Sequence, residues 1–235
     1  MTSTAVLGAA GPTGLECVKR LLDLGHPVVA VVRNPDKYKD TFPDDQNLQI
    51  RKGDVTDTAS LQDVFAQTNA KRVIFAASGK GYFSAKDVDE WGVSNTAEAA
   101  KGAGVERLVL VSSALVTPKN RFHPIRLILN NIRWGLMDAK FRGEELLRAS
   151  SVPYTIVRPG GLTNDPPGQK ALVASQGDTS AGQVARSDVA RVCVAALTDT
   201  HAKNVTLELS SKKGSVAPAD ELQNIFKGLQ PDAAP

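Results

Sequence analysis

Residues Thr4 to Leu22 read Thr-Ala-Val-Leu-Gly-Ala-Ala-Gly-Pro-Thr-Gly-Leu-Glu-Cys-Val-Lys-Arg-Leu-Leu, and this stretch decides the fold. A short apolar run ends at Gly8, glycines recur at Gly11 and Gly14, and an amphipathic run follows. The pattern predicts a strand, a tight turn and a helix, because the apolar spacing becomes helical after the glycines. Pro12 suits the first helical turn, where its missing N–H costs nothing.

The glycine turn is typical of a dinucleotide site. Its backbone can approach a pyrophosphate closely, and the helix N-terminus offers free N–H groups and a partial positive charge. The spacing is G-x-x-G-x-x-G, however, and Ala9 stands where the common fingerprint has its first glycine. A turn without a ligand is the alternative, but the flanking strand and helix favour binding. The predicted contacts with the diphosphate are Gly8, Gly11, Pro12, Thr13, Gly14 and Leu15.

Composition narrows the class of protein. The chain has 235 residues, of which 42% are hydrophobic and 23% charged, as in an ordinary globular protein of one large domain. The net charge of +3 is spread along the chain, without the dense basic run of a nucleic-acid-binding protein. Cys17 and Cys193 lie in apolar helical patterns, which predicts buried thiols and neither a disulfide nor a metal site.

The sequence also limits location and partners. No apolar run approaches the ~20 residues of a membrane span, and the first predicted strand begins almost at the N-terminus. We therefore expect a soluble protein without a targeting segment in this chain, in the cytoplasm or the plastid stroma. No large apolar stripe demands a partner, so we expect a monomer or a weak homodimer that acts on a small molecule.

The second predicted strand is the apolar run Pro27–Val32, and a basic residue follows its tip. NAD-binding sheets often carry an acid here, which holds the 2′-hydroxyl of the adenine ribose. Arg33 occupies that place, with Lys37 nearby. A guanidinium can bind a 2′-phosphate through two hydrogen bonds, whereas an acid would repel it. We therefore predict that Arg33 and Lys37 select NADP(H), the alternative being a solvated basic loop.

Further strands and helices alternate along the chain. Strands are predicted at 48–52, 72–77, 107–111 and 154–157, and helices at 59–67, 84–103 and 125–149. This order is typical of a doubly wound parallel α/β sheet with right-handed crossovers. The strand tips then share the edge of the sheet at which ligands bind. These tips are Gly8, Arg33, Asp54, Ala77, Ser113 and Arg158.

Small and polar residues at these tips complete the predicted nucleotide site. Asp54 could accept a hydrogen bond from the adenine amine, with Val55 against the ring, and a simple turn aspartate is the equal alternative. Ala76, Ala77 and Ser78 leave room for the riboses to cross the sheet edge.

The last third of the chain is less regular. A strand at 171–175, a helix at 187–197, a strand at 205–209 and a helix at 218–229 are predicted. We predict one domain, 1–235, with a dinucleotide-binding core at 1–160, a segment at 161–229 on the substrate side and a frayed tail at 230–235.

A set of motifs runs through most of the chain: Gly8-Ala-Ala-Gly-Pro-Thr-Gly14, Val32-Arg-Asn-Pro35, Gly53-Asp-Val55, Leu110-Val-Ser-Ser113, Tyr154-Thr-Ile-Val-Arg-Pro-Gly160 and Arg186-Ser-Asp-Val-Ala190. Together they resemble the short-chain dehydrogenase/reductase superfamily, in its atypical NAD(P)H-binding branch. The resemblance implies a Rossmann-like fold. The branch includes flavin and biliverdin-IXβ reductases, chloroplast proteins of plants and algae, and dinucleotide-binding regulators similar to the nitrogen-metabolite repressor.

The resemblance also implies catalytic residues. Asn95, Ser113 and Lys140 match three members of the family's tetrad, but Leu136 stands where the family has a tyrosine. Lys140 would hold the nicotinamide ribose, and Ser113 would orient the nicotinamide or the substrate. The resemblance places two more residues, Ser112 and Pro159, against the coenzyme.

The leucine at position 136 removes the proton donor that the family's tyrosine would supply. Carbonyl reduction needs a proton at the developing oxyanion, and a positioned acid contributes ~100- to 10,000-fold. Tyr82 has the family's spacing to Lys86 but belongs to the wrong helix, so we attribute the spacing to chance, although Tyr82 could line the substrate cleft. The loop residue His123 is another candidate donor, the alternative being a solvated histidine. Conjugated acceptors such as flavins, quinones or linear tetrapyrroles spread the negative charge and can take a proton from water. We predict an NADPH-dependent reductase of such an acceptor, with a non-catalytic NADP(H)-binding regulator or scaffold as the alternative.

Overall fold

A central sheet of eight strands organises the chain. The computed structural model describes residues 2–79, 82–132, 135–179, 182–218 and 220–233, with the backbone alone at 82 and 83. The strands are β1 (Ser3–Leu7), β2 (Val28–Val32), β3 (Leu48–Lys52), β4 (Ala70–Phe75), β5 (Arg107–Val111), β6 (Tyr154–Pro159), β7 (Gly161–Thr163), β8 (Leu172–Ser175), β9 (Gln183–Ala185) and β10 (Val205–Ser211).

Helices connect most of these strands. They are α1 (Pro12–Asp23), α2 (Pro35–Tyr38), α3 (Thr58–Thr68), α4 (Tyr82–Ala85), α5 (Gly92–Gly102), α6 (Pro124–Ile132), α7 (Leu136–Ala149), α8 (Arg186–Ala196) and α9 (Glu221–Asn224). A π-helical turn, Lys86–Trp91, joins α4 to α5, so the predicted helix 84–103 is π-helical in its first half and α-helical after Trp91. Over the described ranges, none of the helices is long and apolar enough to cross a bilayer.

The strand order is β3-β2-β1-β4-β5-β6-β10-β8. Neighbouring strands are parallel, except for β10 and β8, which are antiparallel. The chain winds outward in both directions from β1, which leaves a crevice at the carboxyl ends of β1 and β4. This confirms the predicted doubly wound, Rossmann-like α/β fold, and two strands of the C-terminal segment extend its sheet. β7 and β9 form a separate parallel pair.

Strands β1, β2 and β5 are largely apolar and fully buried because helices cover both faces of the sheet. In β1, Ala5 and Leu7 pack on the face that α3 and α5 cover, whereas Val6 packs on the face that α1 and α8 cover. All three side chains are fully buried. Burial on both faces explains why the sequence shows continuous apolar runs and not an alternation of apolar and polar residues.

The turn after β1 leaves no room for a side chain at two of its glycines. Gly8 has a φ of +73°, and a Cβ atom there would lie 2.6 Å from the backbone of Ala77. A Cβ atom on Gly14 would lie 2.3 Å from the carbonyl oxygen of Gly8. The N–H of Gly11 donates to that same oxygen at 2.9 Å. Helix α1 therefore begins directly against the ends of β1 and β4.

The helix predicted over 125–149 is wrong as a single element. Gly135, with a φ of +80°, separates α6 from α7. The side chain of Asn130 bridges the break, because it accepts a hydrogen bond from the N–H of Met137 at 2.8 Å and donates one to the Asp138 carboxylate at 3.1 Å.

The C-terminal end also differs from the prediction. Within the expected helix 218–229, the α-helical part is Glu221–Asn224. The tail is not frayed at Asp232, whose carboxylate accepts hydrogen bonds from the hydroxyl of Tyr154 at 2.9 Å and that of Thr206 at 2.5 Å. Tyr154 belongs to β6 and Thr206 to β10. These hydrogen bonds therefore attach the tail to two neighbouring strands of the sheet.

Candidate dinucleotide site

A cleft of about 490 Å³ opens at the carboxyl edge of the sheet, among the loops that follow β1, β2, β3 and β4. The predicted coenzyme contacts that line it are Gly8, Gly11, Pro12, Arg33, Asp54, Val55, Ala76, Ala77 and Ser78. The structure thus brings the glycine turn and the basic tip of β2 into one cleft, and the dinucleotide prediction depends on both.

The start of α1 meets this cleft without a side-chain cap. Gly11 precedes the helix in extended conformation, with a ψ of 159°, and no described side chain hydrogen-bonds to the first turn. Thr13 and Gly14 are buried behind it, and the N–H of Leu15 already donates to the Gly11 carbonyl at 2.8 Å. Because the N–H groups before Leu15 have no partner inside the helix, they can bind a phosphate.

Arg33 supplies an unpaired positive charge to the same cleft. It is exposed, and within the described part of the chain it has neither a hydrogen bond nor an ion pair. Lys37 does not line the cleft, and its ammonium lies 5.4 Å from the centroid of the Tyr38 ring. Asn34 shapes this loop, since its side chain accepts a hydrogen bond from the N–H of Lys37 at 3.2 Å and caps α2.

The loop after β3 holds two further predicted residues. The carboxylate of Asp54 accepts hydrogen bonds from the N–H and the hydroxyl of Thr56, at 3.0 and 2.9 Å. These are the contacts of a turn aspartate, and the adenine contact stays a prediction. The side-chain amide of Asn95 donates to the carbonyl of Val55 at 3.1 Å, so Asn95 holds this loop against α5. Its catalytic role also stays a prediction.

The tip of β5 carries the two serines predicted at the nicotinamide end. Ser112 is buried, and among the described residues its hydroxyl has no hydrogen-bond partner. The hydroxyl of Ser113 donates to the Ala114 carbonyl at 3.1 Å. The carbonyl of Pro159 accepts a hydrogen bond from the N–H of Ala114 at 2.9 Å, which continues the pairing of β5 with β6 beyond the strand. A bound ligand could satisfy the buried hydroxyl of Ser112.

Lys140 is engaged by a buried carboxylate. Its Nζ lies 2.8 Å from Oδ1 of Asp89, and the two side chains are 12% and 1% exposed. Oδ2 of Asp89 accepts hydrogen bonds from the N–H of Gly79 at 2.8 Å and the hydroxyl of Ser78 at 3.4 Å. Because Ser78 and Gly79 line the cleft, this ion pair links the predicted catalytic lysine to a wall of the coenzyme site.

Gly143 and Arg142, two residues of α7 close to Lys140, lie in the tight contact between α7 and the π-helical turn. A Cβ atom on Gly143 would lie 2.1 Å from the carbonyl oxygen of Asp89, so the close approach requires glycine. Arg142 donates to the buried carboxylate of Glu90 at 2.8 Å. The backbone that carries Asp89 is therefore held rigidly against the helix that carries Lys140.

Leu136 occupies the position at which the resembling family has its tyrosine. It is buried in a small apolar cluster with Ala85 and Ala139. A leucine in this cluster contributes packing at the start of α7 and has no proton to donate.

A buried carboxylate fixes the loop that follows the two serines. Oδ1 of Asp178 accepts a hydrogen bond from the N–H of Leu115 at 2.6 Å. Its Oδ2 accepts from the N–H of Thr117 at 2.8 Å and the side chain of Asn120 at 2.9 Å. Burial raises the pKa of the Asp178 carboxyl, but the hydrogen bonds from Thr117 and Asn120 outweigh it and hold the pKa below its ordinary value.

Arg158 lies inside β6, which runs two residues further than predicted. Its buried guanidinium donates to Glu144 at 3.0 and 2.6 Å and to Glu208 at 3.2 Å. Burial raises the pKa of the Glu208 carboxyl, although Arg158 opposes this. These groups form an internal network and do not line the dinucleotide cleft.

Comparison with known proteins agrees with this geometry. Residues 8–200 match a family model described as NAD(P)H-binding. The chain belongs to the NAD(P)H-binding family. An uncharacterised chloroplast protein of Arabidopsis thaliana is 34% identical over 231 residues, which cover 96% of this chain and 81% of that protein.

A named reductase and a solved structure extend the comparison. Sanguinarine reductase of Eschscholzia californica is 37% identical over 149 residues, which cover 61% of this chain and 51% of that enzyme. The structure of an anaerobillin reductase from Escherichia coli matches with a TM-score of 0.74 at 24% identity, over 93% of this chain and 100% of that one. The predicted resemblance to the atypical NAD(P)H-binding branch is thus confirmed.

Sequence reasoning missed three side chains of this region. Tyr38 lines the cleft, and its place in the basic loop after β2 was an available signal. Asp89 and Asp178 are buried, but Asp89 stands in an acidic run that resembles a solvated helix face. Nothing in the sequence indicates which carboxylate of that run turns inward.

Proposed function

We propose that this protein is an NADPH-dependent reductase of a conjugated small-molecule acceptor of the flavin, quinone or linear tetrapyrrole type. The observation that carries the choice of coenzyme is Arg33, which is exposed in the cleft and has no partner among the described residues. A guanidinium gives a 2′-phosphate two charge-assisted hydrogen bonds, which NADH cannot accept.

The residues of the cleft fit the coenzyme. The first turn of α1, from Gly11 to Gly14, would hold the diphosphate, because its N–H groups have no side-chain cap. Arg33 would hold the 2′-phosphate inside the cleft, and Lys37 would add positive charge from outside it. Ser112 and Ser113 would contact the nicotinamide end. When bound, NADPH supplies a hydride to the acceptor.

The proton of this two-electron reduction would come from water, since Leu136 offers none and His123 does not line the cleft. The side chain of Tyr82 lies outside the described residues. A conjugated acceptor tolerates this route because its negative charge is delocalised as the hydride arrives. Two relatives support a reductase of this kind, since one is named a sanguinarine reductase and one an anaerobillin reductase.

We also propose a role for the C-terminal segment and a location for the protein. We place segment 161–229 on the acceptor side of a single domain, which a cleft of about 500 Å³ lined by residues between Thr163 and Lys213 supports. The chloroplast location of the Arabidopsis relative favours the plastid over the cytoplasm.

The test is NADPH oxidation with a panel of flavin, quinone and tetrapyrrole acceptors, measured without oxygen. We expect turnover above the protein-free rate with at least one class, and loss of that turnover in Ser113→Ala with little change in NADPH affinity. The proposal would be contradicted if the protein binds NADPH but oxidises it with none of the acceptors in the panel.

One observation favours a second candidate, a non-catalytic NADP(H)-binding regulator or scaffold. Lys140 is paired with Asp89 and Leu136 is apolar, so two positions of the family's tetrad are occupied by structural contacts. A regulator that responds to the redox state requires different affinities for NADPH and NADP⁺, whereas a scaffold requires only binding. Calorimetric titration with both forms measures the difference, and equal affinities would exclude a redox sensor. Turnover that Ser113→Ala abolishes would exclude both the regulator and the scaffold.

A further inference from the structure

Helix α6 presents its polar side to the protein. Arg126 is 4% exposed and donates to the carbonyls of Val116 at 2.7 Å and Thr117 at 3.1 Å. Its guanidinium also pairs with Asp138. Asn130, one helical turn later, donates to the same carboxylate at 3.1 Å. Polar contacts therefore fix the rotation of α6 about its axis.

The opposite side of α6 is apolar and exposed to water. Ile125, Ile128 and Ile132 recur at helical spacing and are 47%, 54% and 71% exposed. Leu127 and the preceding Phe122 are 43% and 75% exposed. We call these five residues the α6 face. A surface helix of a globular protein normally has the reverse pattern, and grouped exposed apolar side chains mark an interaction surface.

The charge beside the α6 face is positive. Lys119 and Arg121 are exposed just before the helix, and neither has a carboxylate partner among the described residues. The guanidinium of Arg121 lies 4.7 Å from the centroid of the Phe122 ring, which joins the basic group to the apolar one. The sequence from Arg107 to Met137 contains neither Asp nor Glu.

This charge decides between two possible occupants. A second copy of the α6 face would bring no acidic group to Lys119 and Arg121, because residues 107–137 contain neither Asp nor Glu. Anionic headgroups would neutralise these cations, while the apolar side chains would leave water.

We propose that the α6 face docks on the surface of a bilayer that contains anionic phospholipids. Ile125, Ile128, Ile132 and Phe122 enter the boundary between headgroups and acyl chains, and Lys119 and Arg121 lie at the level of the phosphates. The binding is peripheral. It goes beyond the proposed reductase activity and does not depend on it.

Flotation with phospholipid vesicles tests the proposal. We expect the full chain to float with vesicles of phosphatidylcholine and phosphatidylglycerol, at least tenfold more than with phosphatidylcholine alone, and to lose this binding at high salt. The double variant Lys119→Gln/Arg121→Gln should reduce binding to the anionic vesicles by about 30-fold. Ile128→Asp should reduce it at least as much, because it places a carboxylate at the lipid surface.

A matched control distinguishes binding through the α6 face from nonspecific adsorption to the vesicles. Val216, 83% exposed in the segment after β10, lies outside the face, and Val216→Asp should float like the wild type. Ile128→Asp should keep the melting temperature and NADPH affinity of the wild type, because its side chain is exposed in the folded protein.

Three results would overturn the proposal. One is wild-type protein that does not float, and another is equal flotation with neutral and anionic vesicles. The third is a wild-type dimer by light scattering that Ile128→Asp dissociates, because a second copy would then cover the face. Flotation without reductase activity would contradict the proposed function alone.

Discussion

Nζ of Lys140 lies 2.8 Å from Oδ1 of Asp89, in an ion pair that is almost closed to water. The other oxygen of Asp89 holds the N–H of Gly79 in the wall of the coenzyme cleft. The lysine that the family resemblance assigns to the nicotinamide ribose therefore also has a structural task, and experiments must separate the two.

Lys140→Met should destabilise the protein by roughly 3–5 kcal/mol, because it leaves the buried carboxylate of Asp89 without its partner. The double variant Lys140→Met/Asp89→Asn should recover much of the stability, since no charge is then stranded. We expect its KM for NADPH to stay raised, because the ribose contact is still missing. Chemical denaturation and steady-state kinetics measure the two effects. A KM that recovers with the stability would show that Lys140 does not touch the coenzyme.

Arg33→Ala should weaken NADPH binding by about ten- to a hundred-fold, because a charged hydrogen bond contributes ~1.5–3 kcal/mol. NADH binding should be nearly unchanged, since NADH has no 2′-phosphate. Fluorescence titration with both nucleotides gives the ratio, and Lys39→Ala, a nearby exposed cation outside the cleft, serves as the control. Equal losses for the two nucleotides would remove Arg33 from the 2′-phosphate site.

Gly14→Ala should abolish dinucleotide binding or prevent folding, because its Cβ atom would lie 2.3 Å from the carbonyl oxygen of Gly8. The backbone at Gly8 cannot move away from this Cβ atom without opening the turn between β1 and α1. Gly102→Ala is the matched control, since a Cβ atom at the end of α5 meets nothing within 4 Å. It should be neutral or stabilising by about 0.5–1 kcal/mol. Thermal melting with and without NADPH measures both, and an unaffected Gly14→Ala would contradict the tight turn.

Asp178→Asn should lower the free energy of unfolding at neutral pH by roughly 2–3 kcal/mol, because buried donors lose a charged acceptor. The folded pKa of Asp178 is depressed, so its contribution is present above the unfolded pKa and is lost as the pH falls through the folded pKa. The difference in the free energy of unfolding between Asp178→Asn and the wild type should thus be largest at pH ~7 and become smaller below pH ~4.

Asp165 is the control for this pH dependence. Its pKa is also lowered, by hydrogen bonds from Lys170 and Thr163, but the carboxylate is exposed to solvent. Asp165→Asn should therefore change stability little at any pH, because water screens the interaction. Denaturant melts from neutral to acidic pH compare the two variants, and a pH-independent deficit in Asp178→Asn would rule out the charge as its cause.

Continuous apolar runs predicted the central strands closely. The predicted strand 107–111 has the same bounds as β5, in which every residue is buried, because burial on both faces leaves little choice of residue. The edge strand β3 also has its predicted bounds, 48–52, although it carries polar residues and is only partly buried. The parallel alternation then placed Gly11 and Arg33 at the same edge, where the cleft lies. These features depend on local pattern and topology, which a sequence carries.

Contacts between distant segments could not be predicted in the same way. The break at Gly135 interrupts a run whose apolar spacing continues, and the apolar residues of α6 resemble a core face until Arg126 is seen to point inward. The sequence pattern therefore did not single out the α6 face, whose apolar side chains are exposed. The inward carboxylates of Asp89 and Asp178 likewise depend on packing between elements far apart in the chain.

The contact of Asp232 has a practical consequence for anyone who purifies this protein. Its carboxylate also accepts a hydrogen bond from Arg148 at 3.2 Å, so Asp232 attaches the C-terminal segment to α7, β6 and β10. Cutting the chain before Asp232 would remove an acceptor from Arg148, Tyr154 and Thr206, and a bulky affinity handle placed directly after it would crowd these contacts. A handle at the N-terminus avoids both problems.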